Sequence, residues 1–389
     1  MNQVIYLDHA ATTPVDALVL EAMLPYFSLK YGNPSSLYEL GRESRQALSA
    51  AREKIAEILG VENPAEIIFT SGGSESNNLM VKGLALQRKA QGNHLITSRI
   101  EHSALRKAAK AMEKLGFSVT FLPVNHYGLV DPKELEKAIT PQTSLISIMT
   151  ANHEVGTIQP IKELAAIAQE HKIPFHTDAV QAAGNMEIKV KEMGVDALSL
   201  SAHKFYGPKG MGALYLRSGL KLFPLIHGGG QEGNLRAGTE NVPGIVGMAK
   251  ALELAERERD ERNQKCLALR DKLINGILAQ IPHTHLTGHP KLRLSNSASF
   301  IFEFIEGESI LLALAAEGIC VSSGSACSSA STAASQVLLA MGFAPEIARG
   351  SLRMTLGKDN TREEIEQVLT VLPQIIEKLR TISPLAKGN

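Results

Sequence analysis

The sequence predicts an α/β fold: a large domain with a mostly parallel sheet flanked by helices, and a smaller α/β domain toward the C-terminus. Three observations predict it. Strand-like and helix-like segments alternate over residues 66–217. Several strand candidates are unbroken apolar runs, as expected of strands covered on both faces. Beyond Gly244 the chain changes to charged helical stretches and a single strong strand-like run. A chain of 389 residues is long enough for one large and one smaller core.

In chain order, an amphipathic segment at 39–59 comes first. Strand candidates follow at 66–70, 94–98, 118–123, 144–150, 174–178, 197–201 and 212–217. Helices are predicted between many of them, at 76–88, 103–115, 132–139 and 161–171. In such sheets, ligands bind just past the carboxyl ends of the strands. A long charged helix is predicted over 245–281; its alternating charges at 256–262 read as a solvated face. Then come a strand at 298–304, an apolar helix at 310–316, a short buried strand at 319–321 and a final helix at 362–381. The expected domains are residues 16–257 and a small domain combining 1–15 with 258–389, divided near Arg257.

Acidic and basic residues balance at 40 each, so no charge excess argues for nucleic acid or an anionic membrane. No apolar run approaches a membrane span, and no signal peptide is visible, so a cytoplasmic protein is expected. Three unevenly spaced cysteines form neither a disulfide framework nor a CxxC metal site. Cys266 shares a helical apolar stripe with Leu269, Leu273 and Ile277 and is expected to be packed and inert. Cys327 differs. From Ser322 to Ser335 no side chain exceeds threonine or cysteine in size, so nothing there can anchor a core. That loop, at about 320–335, is expected to be mobile and its thiol exposed; a small buried cysteine in a Ser-rich turn is the competing reading.

Four segments end predicted strands with chemistry-bearing residues. Ser71-Gly72-Gly73-Ser74 opens a helix, where small residues let backbone N–H groups approach a phosphate; a plain N-cap is the alternative. His102 follows the strand at 94–98 and can stack on a ring or move protons. Asp178 ends an apolar strand, where a carboxylate can pair with a pyridinium nitrogen. Lys204 follows Ser201 and His203 at another strand end, with Lys209 as a rival for any Schiff base. Each alone reads as an ordinary cap or surface group. Together they are the parts a pyridoxal-phosphate site requires.

The chain resembles the NifS/IscS-type cysteine desulfurases, fold-type I pyridoxal-phosphate enzymes of the class V aminotransferase group. The likeness runs through Tyr6–Pro14, Gly32–Ser36, Thr70–Asn78, Glu101-His102, the Asp178 segment and Ser201–Gly210. It continues through Gly228–Glu232, Arg236–Asn241, Ser322–Cys327 and Ser351–Arg353. The resemblance implies that Lys204 holds pyridoxal phosphate covalently. Gly73, Ser74, Ser201 and His203 would take its phosphate, with Thr239 reaching in from the other subunit of a homodimer. Asp178 would pair with the ring nitrogen and Gln181 would contact the ring hydroxyl. His102 would stack on the ring and relay protons, and Arg353 with Asn33 would hold the substrate carboxylate. L-Cysteine would become L-alanine, its sulfur passing as a persulfide to Cys327 and then to an acceptor protein such as an iron–sulfur scaffold. No intrinsic metal is expected, although that persulfide would meet a partner's cluster in passing. The long loop is the NifS/IscS form, as distinct from the shorter SufS one.

The chain departs from the family pattern twice. His153 in Asn152-His153-Glu154-Val155-Gly156 replaces an asparagine expected at the cofactor hydroxyl, and Gly233 and Leu235 stand where an arginine-rich turn is common. Rival readings are a selenocysteine lyase or cystine C–S lyase of the same fold, and a non-catalytic sulfur-carrier scaffold.

Overall fold

The computed structural model describes residues 4–323 and 334–384. Among the described residues there are twelve strands: β1 (Ile5–Tyr6), β2 (Ile67–Thr70), β3 (His94–Ser98), β4 (Ser118–Leu122), β5 (Thr143–Ser147), β6 (Phe175–Asp178), β7 (Ala197–Ser201), β8 (Gly212–Leu216), β9 (Thr284–Leu286), β10 (Ser297–Phe302), β11 (Ile319–Cys320) and β12 (Ser351–Thr355). Seven form the main sheet in the order β2-β8-β7-β6-β5-β3-β4. The pairs from β4 to β7 are parallel, and β8 runs antiparallel between β7 and β2.

The apolar strand runs are explained by two cores. Ile67, Phe69, Ile96, Leu198, Leu200 and Tyr215 face one, while Ile68, Leu95, Ala197, Leu214 and Leu216 face the other. Both pleat faces are covered, so the period-2 signal disappears. The first core is closed by the helix Glu39–Leu59, which buries Ser44, Leu48, Ala51, Ile55 and Leu59 at helical spacing and ends on Gly60 at φ 70°. The helix Val242–Arg257 packs beside it.

A second sheet, β12-β10-β9, is antiparallel, and β1 pairs with β11 in parallel. Ile5 and Leu7 share a third core with Cys266, Phe300, Leu352 and Leu372. The predicted stripe Cys266, Leu269, Leu273 and Ile277 is buried there, and burial pushes the Cys266 thiol up from its usual range.

Three expectations need correction. The long helix predicted over 245–281 is two helices, Val242–Arg257 and Arg259–Gln280, meeting at Glu258. Buried Arg262 donates to the carbonyls of Ala255 and Gly184, taking a last-turn acceptor of the first helix and tying the break to the large core. The helix predicted from Ser76 begins at Gly73, and it carries a π turn at Leu79–Gly83. Cys320 is only half-buried, because β11 has a single partner strand.

Candidate active site

The parallel strands deliver their polar ends to one edge of the main sheet. Asp178 is the last residue of β6 and Ser201 the last of β7; His102 follows β3, and His153 follows β5. Gly73, Ser74, His102, His153, Asp178, Gln181, Ser201, His203, Lys204 and Arg353 all line one cavity of about 350 Å³. Ten sequence-predicted residues therefore meet in one place.

One wall is the turn between β2 and the helix Gly73–Asn78. Gly72 has φ 151°, and Gly212 of β8 lies so close that a Cβ there would sit 2.6 Å from Gly72 backbone atoms. A Cβ on Gly73 would meet Val180 at 2.6 Å. Glycine at 212 lets the two backbones come together at the helix start, and glycine at 73 spares the Val180 side chain. Ser74, Ser201 and His203 surround that end, and a neighbouring hollow continues from them to Lys209. The rival lysine thus lies outside the main cavity.

The Asp178 carboxylate is held on both oxygens: Asn77 Nδ2 donates to Oδ2 at 2.6 Å and the Val180 N–H to Oδ1 at 3.0 Å. Lys204 ends the short turn Ala202–Lys204 after β7. Its Nζ donates to the carbonyls of Ala10 and Ala11 at 2.5 and 2.7 Å. Gln181 Nε2 donates to the same Ala10 carbonyl at 3.0 Å. The N-terminal segment is thereby laid over the cavity, anchored also by Thr13 on the His203 carbonyl.

The histidines are held below their ordinary range, first by burial. Lys204 adds to this at His102, His153 and His203, bringing His203 to about 4. Neutral imidazoles are the result. His102 and His153 meet edge-on with ring centroids 5.2 Å apart. Beside them, burial raises the Glu154 carboxyl to about 7, and it accepts a hydrogen bond from Ser335.

Arg353, on β12, is buried and forks across the cavity's far side. Nη1 donates to the His153 carbonyl at 2.7 Å and Nη2 to Asp8 Oδ1 at 2.7 Å. Asp8, Asn77 and Glu154 were not singled out from sequence. Asp8 and Asn77 lie within quoted motifs, but nothing in their spacing shows which side chain they contact. Asn33 and Thr239 do not line the cavity of their own chain, and both are exposed. Cys327 lies outside the described residues; Ser322, at the start of its segment, lines the cavity.

The residues fit pyridoxal phosphate. The glycine cradle leaves room for a phosphate at a helix start, Asp178 is fixed in orientation, and a primary amine stands across the cavity. His153 Nδ1 and Asn77 Oδ1 are buried polar atoms without a hydrogen-bond partner among the described residues, as expected where a polar ring completes a site. Among the described residues no cluster of three or more metal-ligating side chains occurs, and no helix is long and apolar enough to cross a membrane.

The aminotransferase class-V family model matches residues 5–368. A cysteine desulfurase IscS of Methanosarcina thermophila is 56% identical over 99% of this chain and 95% of its own. A solved NifS-like protein superimposes with a TM-score of 0.91 at 41% identity, covering 97% of this chain and all of that one. SspA, solved in complex with cysteine, does so with a TM-score of 0.82 at 40% identity over 92% of this chain and all of that one.

Proposed function

The chain belongs to the aminotransferase class-V family, and from that premise we propose that it is a cysteine desulfurase using pyridoxal phosphate to take the sulfur of L-cysteine. The observation that carries this reading is the convergence of Lys204, Asp178, His102 and Arg353 on one cavity. Pyridoxal phosphate, when bound, supplies an electron sink for carbanion chemistry at the amino acid's α-carbon.

The chain's own residues do the rest. Lys204 would hold the cofactor covalently, and the cradle of Gly73, Ser74, Ser201 and His203 would take its phosphate. Asp178, fixed by Asn77, would keep a negative charge at the ring nitrogen, and Gln181 and His153 would meet the ring hydroxyl. His102, a neutral imidazole in the same cavity, would serve beside the cofactor as a base able to take and return a proton. Arg353 presents a fork to the substrate carboxylate, which takes the place that Asp8 occupies on Nη2. The Cys327 thiolate attacks the substrate sulfur: the S–S bond forms, the substrate Cβ–S bond breaks, and the electron pair left on carbon takes a proton on the way to L-alanine. The persulfide then passes to an acceptor protein, an iron–sulfur scaffold being the fitting class, in the cytoplasm.

A homodimer completes the site, with Thr239 of one chain serving the phosphate of the other. An exposed apolar run supports that association: Leu24, Phe27, Leu29, Tyr31, Leu37 and Tyr38 are all more than half exposed.

The test is single-turnover chemistry with cysteine and with selenocysteine, in the wild type and in Cys327→Ala. Alanine formation from cysteine should vanish in the variant, together with the protein-bound persulfide. Undiminished alanine formation from cysteine would overturn the persulfide step; turnover of selenocysteine alone would make the enzyme a lyase.

A further inference from the structure

We propose that the ion pair between half-buried Arg52 and buried Glu232 is a positioning clamp that presents Thr239 to the cofactor site of a second copy of this chain. The inference rests on the dimeric reading above and deepens it.

Glu232 lies in the glycine-rich segment that precedes Thr239, yet its side chain is 3% exposed. Its Oε1 accepts from Arg52 Nη2 at 2.8 Å, and its Oε2 from Arg52 Nη1 at 2.9 Å and from the Phe69 N–H at 2.8 Å. The Arg52 guanidinium lies 4.7 Å from the centre of the Phe69 ring. A fully hydrogen-bonded carboxylate under a surface turn is a built feature, because a buried charge persists only when paired.

The backbone is bent to reach it. Glu232, Gly233 and Asn234 have φ of 46°, 62° and 65°, three consecutive left-handed residues of which two are not glycine. Such conformations persist only where the surroundings over-determine them. The clamp supplies that determination.

From this anchor the segment is laced toward Thr239. The Ala237 N–H donates to the Ile226 carbonyl at 3.3 Å and the Gly238 N–H to Gln231 Oε1 at 3.1 Å. Arg236 Nε donates to Glu75 at 3.0 Å, and Glu75 in turn accepts from the Ser71 N–H of the cradle. Thr239 itself is exposed and does not line its own chain's cavity, while Ile226, whose carbonyl accepts from the Ala237 N–H, leaves apolar surface exposed in the same segment. A segment held this firmly, ending in an outward hydroxyl, fits delivery to another molecule rather than to its own cavity.

The test separates the two chains. Differently tagged subunits are combined into mixed dimers in which one chain carries Lys204→Ala, so only one site holds the cofactor covalently. In the first dimer E232Q sits on the Lys204→Ala chain; in the second it sits on the chain that keeps Lys204. The readout is the dissociation constant of pyridoxal phosphate, followed by its visible absorbance on dilution. The first dimer should bind about tenfold more weakly than the control without E232Q, the loss of one hydrogen bond to a charged oxygen. The second should match its control. T239A on the same chain as E232Q should add nothing further.

Weakening in the second dimer, or in neither, overturns the clamp. If E232Q does not fold, R52K, which keeps the charge but not the fork, is read in the same way. Dimerisation is measured separately by sedimentation of the wild type: a monomer that binds the cofactor equally well overturns the dimeric reading itself.

Discussion

Asn77 donates to Asp178 at 2.6 Å, joining the cradle helix to the end of β6. With the Val180 N–H on the other oxygen, this bond fixes the carboxylate and ties it to the glycine turn at the start of that helix. Asp178→Asn removes the charge and should lower the rate of alanine formation by about 10²–10³, the usual cost of losing a preorganised electrostatic partner. Asn77→Ala loses one hydrogen bond to a charged group, about 1.5–3 kcal/mol, and should have a smaller effect in the same direction. Steady-state kinetics on both variants checks the order; an Asn77 effect exceeding that of Asp178 would contradict it.

His153→Asn restores the asparagine common at this place and removes the edge contact with His102. The spectrophotometric pH titration of bound pyridoxal phosphate should then move its midpoint by about half a unit or more. An unmoved titration would separate His153 from the ring.

Glu101 is fully buried, and burial pushes its carboxyl up to about 8 against the donors Ser98 and Met149. The folded chain keeps a proton that the unfolded chain releases above about 4.5. This contribution to stability is full below that pH and declines as pH rises toward 8. Glu101→Gln does not titrate, so its stability relative to wild type should climb across that window, by at most about 5 kcal/mol. Urea unfolding at several pH values measures it, and a flat difference would refute it. His9 and His176 act oppositely: burial lowers them to about 4 and 3, so their contribution is lost as pH falls below 6.5.

Ser335 accepts from the Leu338 N–H at 3.2 Å, capping the helix Gln336–Ala340, and donates to the buried Glu154 carboxyl. Ser335→Ala removes a cap, about 1 kcal/mol, and strips a donor from a buried acceptor, about 1–3 kcal/mol. A combined loss of about 2–4 kcal/mol is expected in chemical denaturation. Ser335→Thr should recover most of it.

Much of the site was legible in the sequence because its parts end apolar runs. A carboxylate or lysine straight after a buried strand has few places to go, which is why Asp178, Ser201, Lys204 and His102 stood out. The agreement of several such ends on one cofactor outweighed any one of them. The helix break at Glu258 was not legible, because uninterrupted helical spacing says nothing of Arg262 taking the Ala255 carbonyl. Cys320 misled for a similar reason: an apolar triplet looks the same in a central strand and in a two-stranded edge.

What the sequence by itself determined is the family, the parallel sheet and the identity of the groups at its strand ends. Those are written in short-range patterns: pleat coverage, helical period, glycine at a tight turn. Only the tertiary structure decided which groups hold one another. Asp8 reaches Arg353, Lys204 reaches the Ala10 carbonyl and Glu232 reaches Arg52, each across a separation that no local pattern spans. Such pairings are set by how the sheets pack and where the N-terminal segment is laid. They follow from satisfying buried charges and donors once the core has formed.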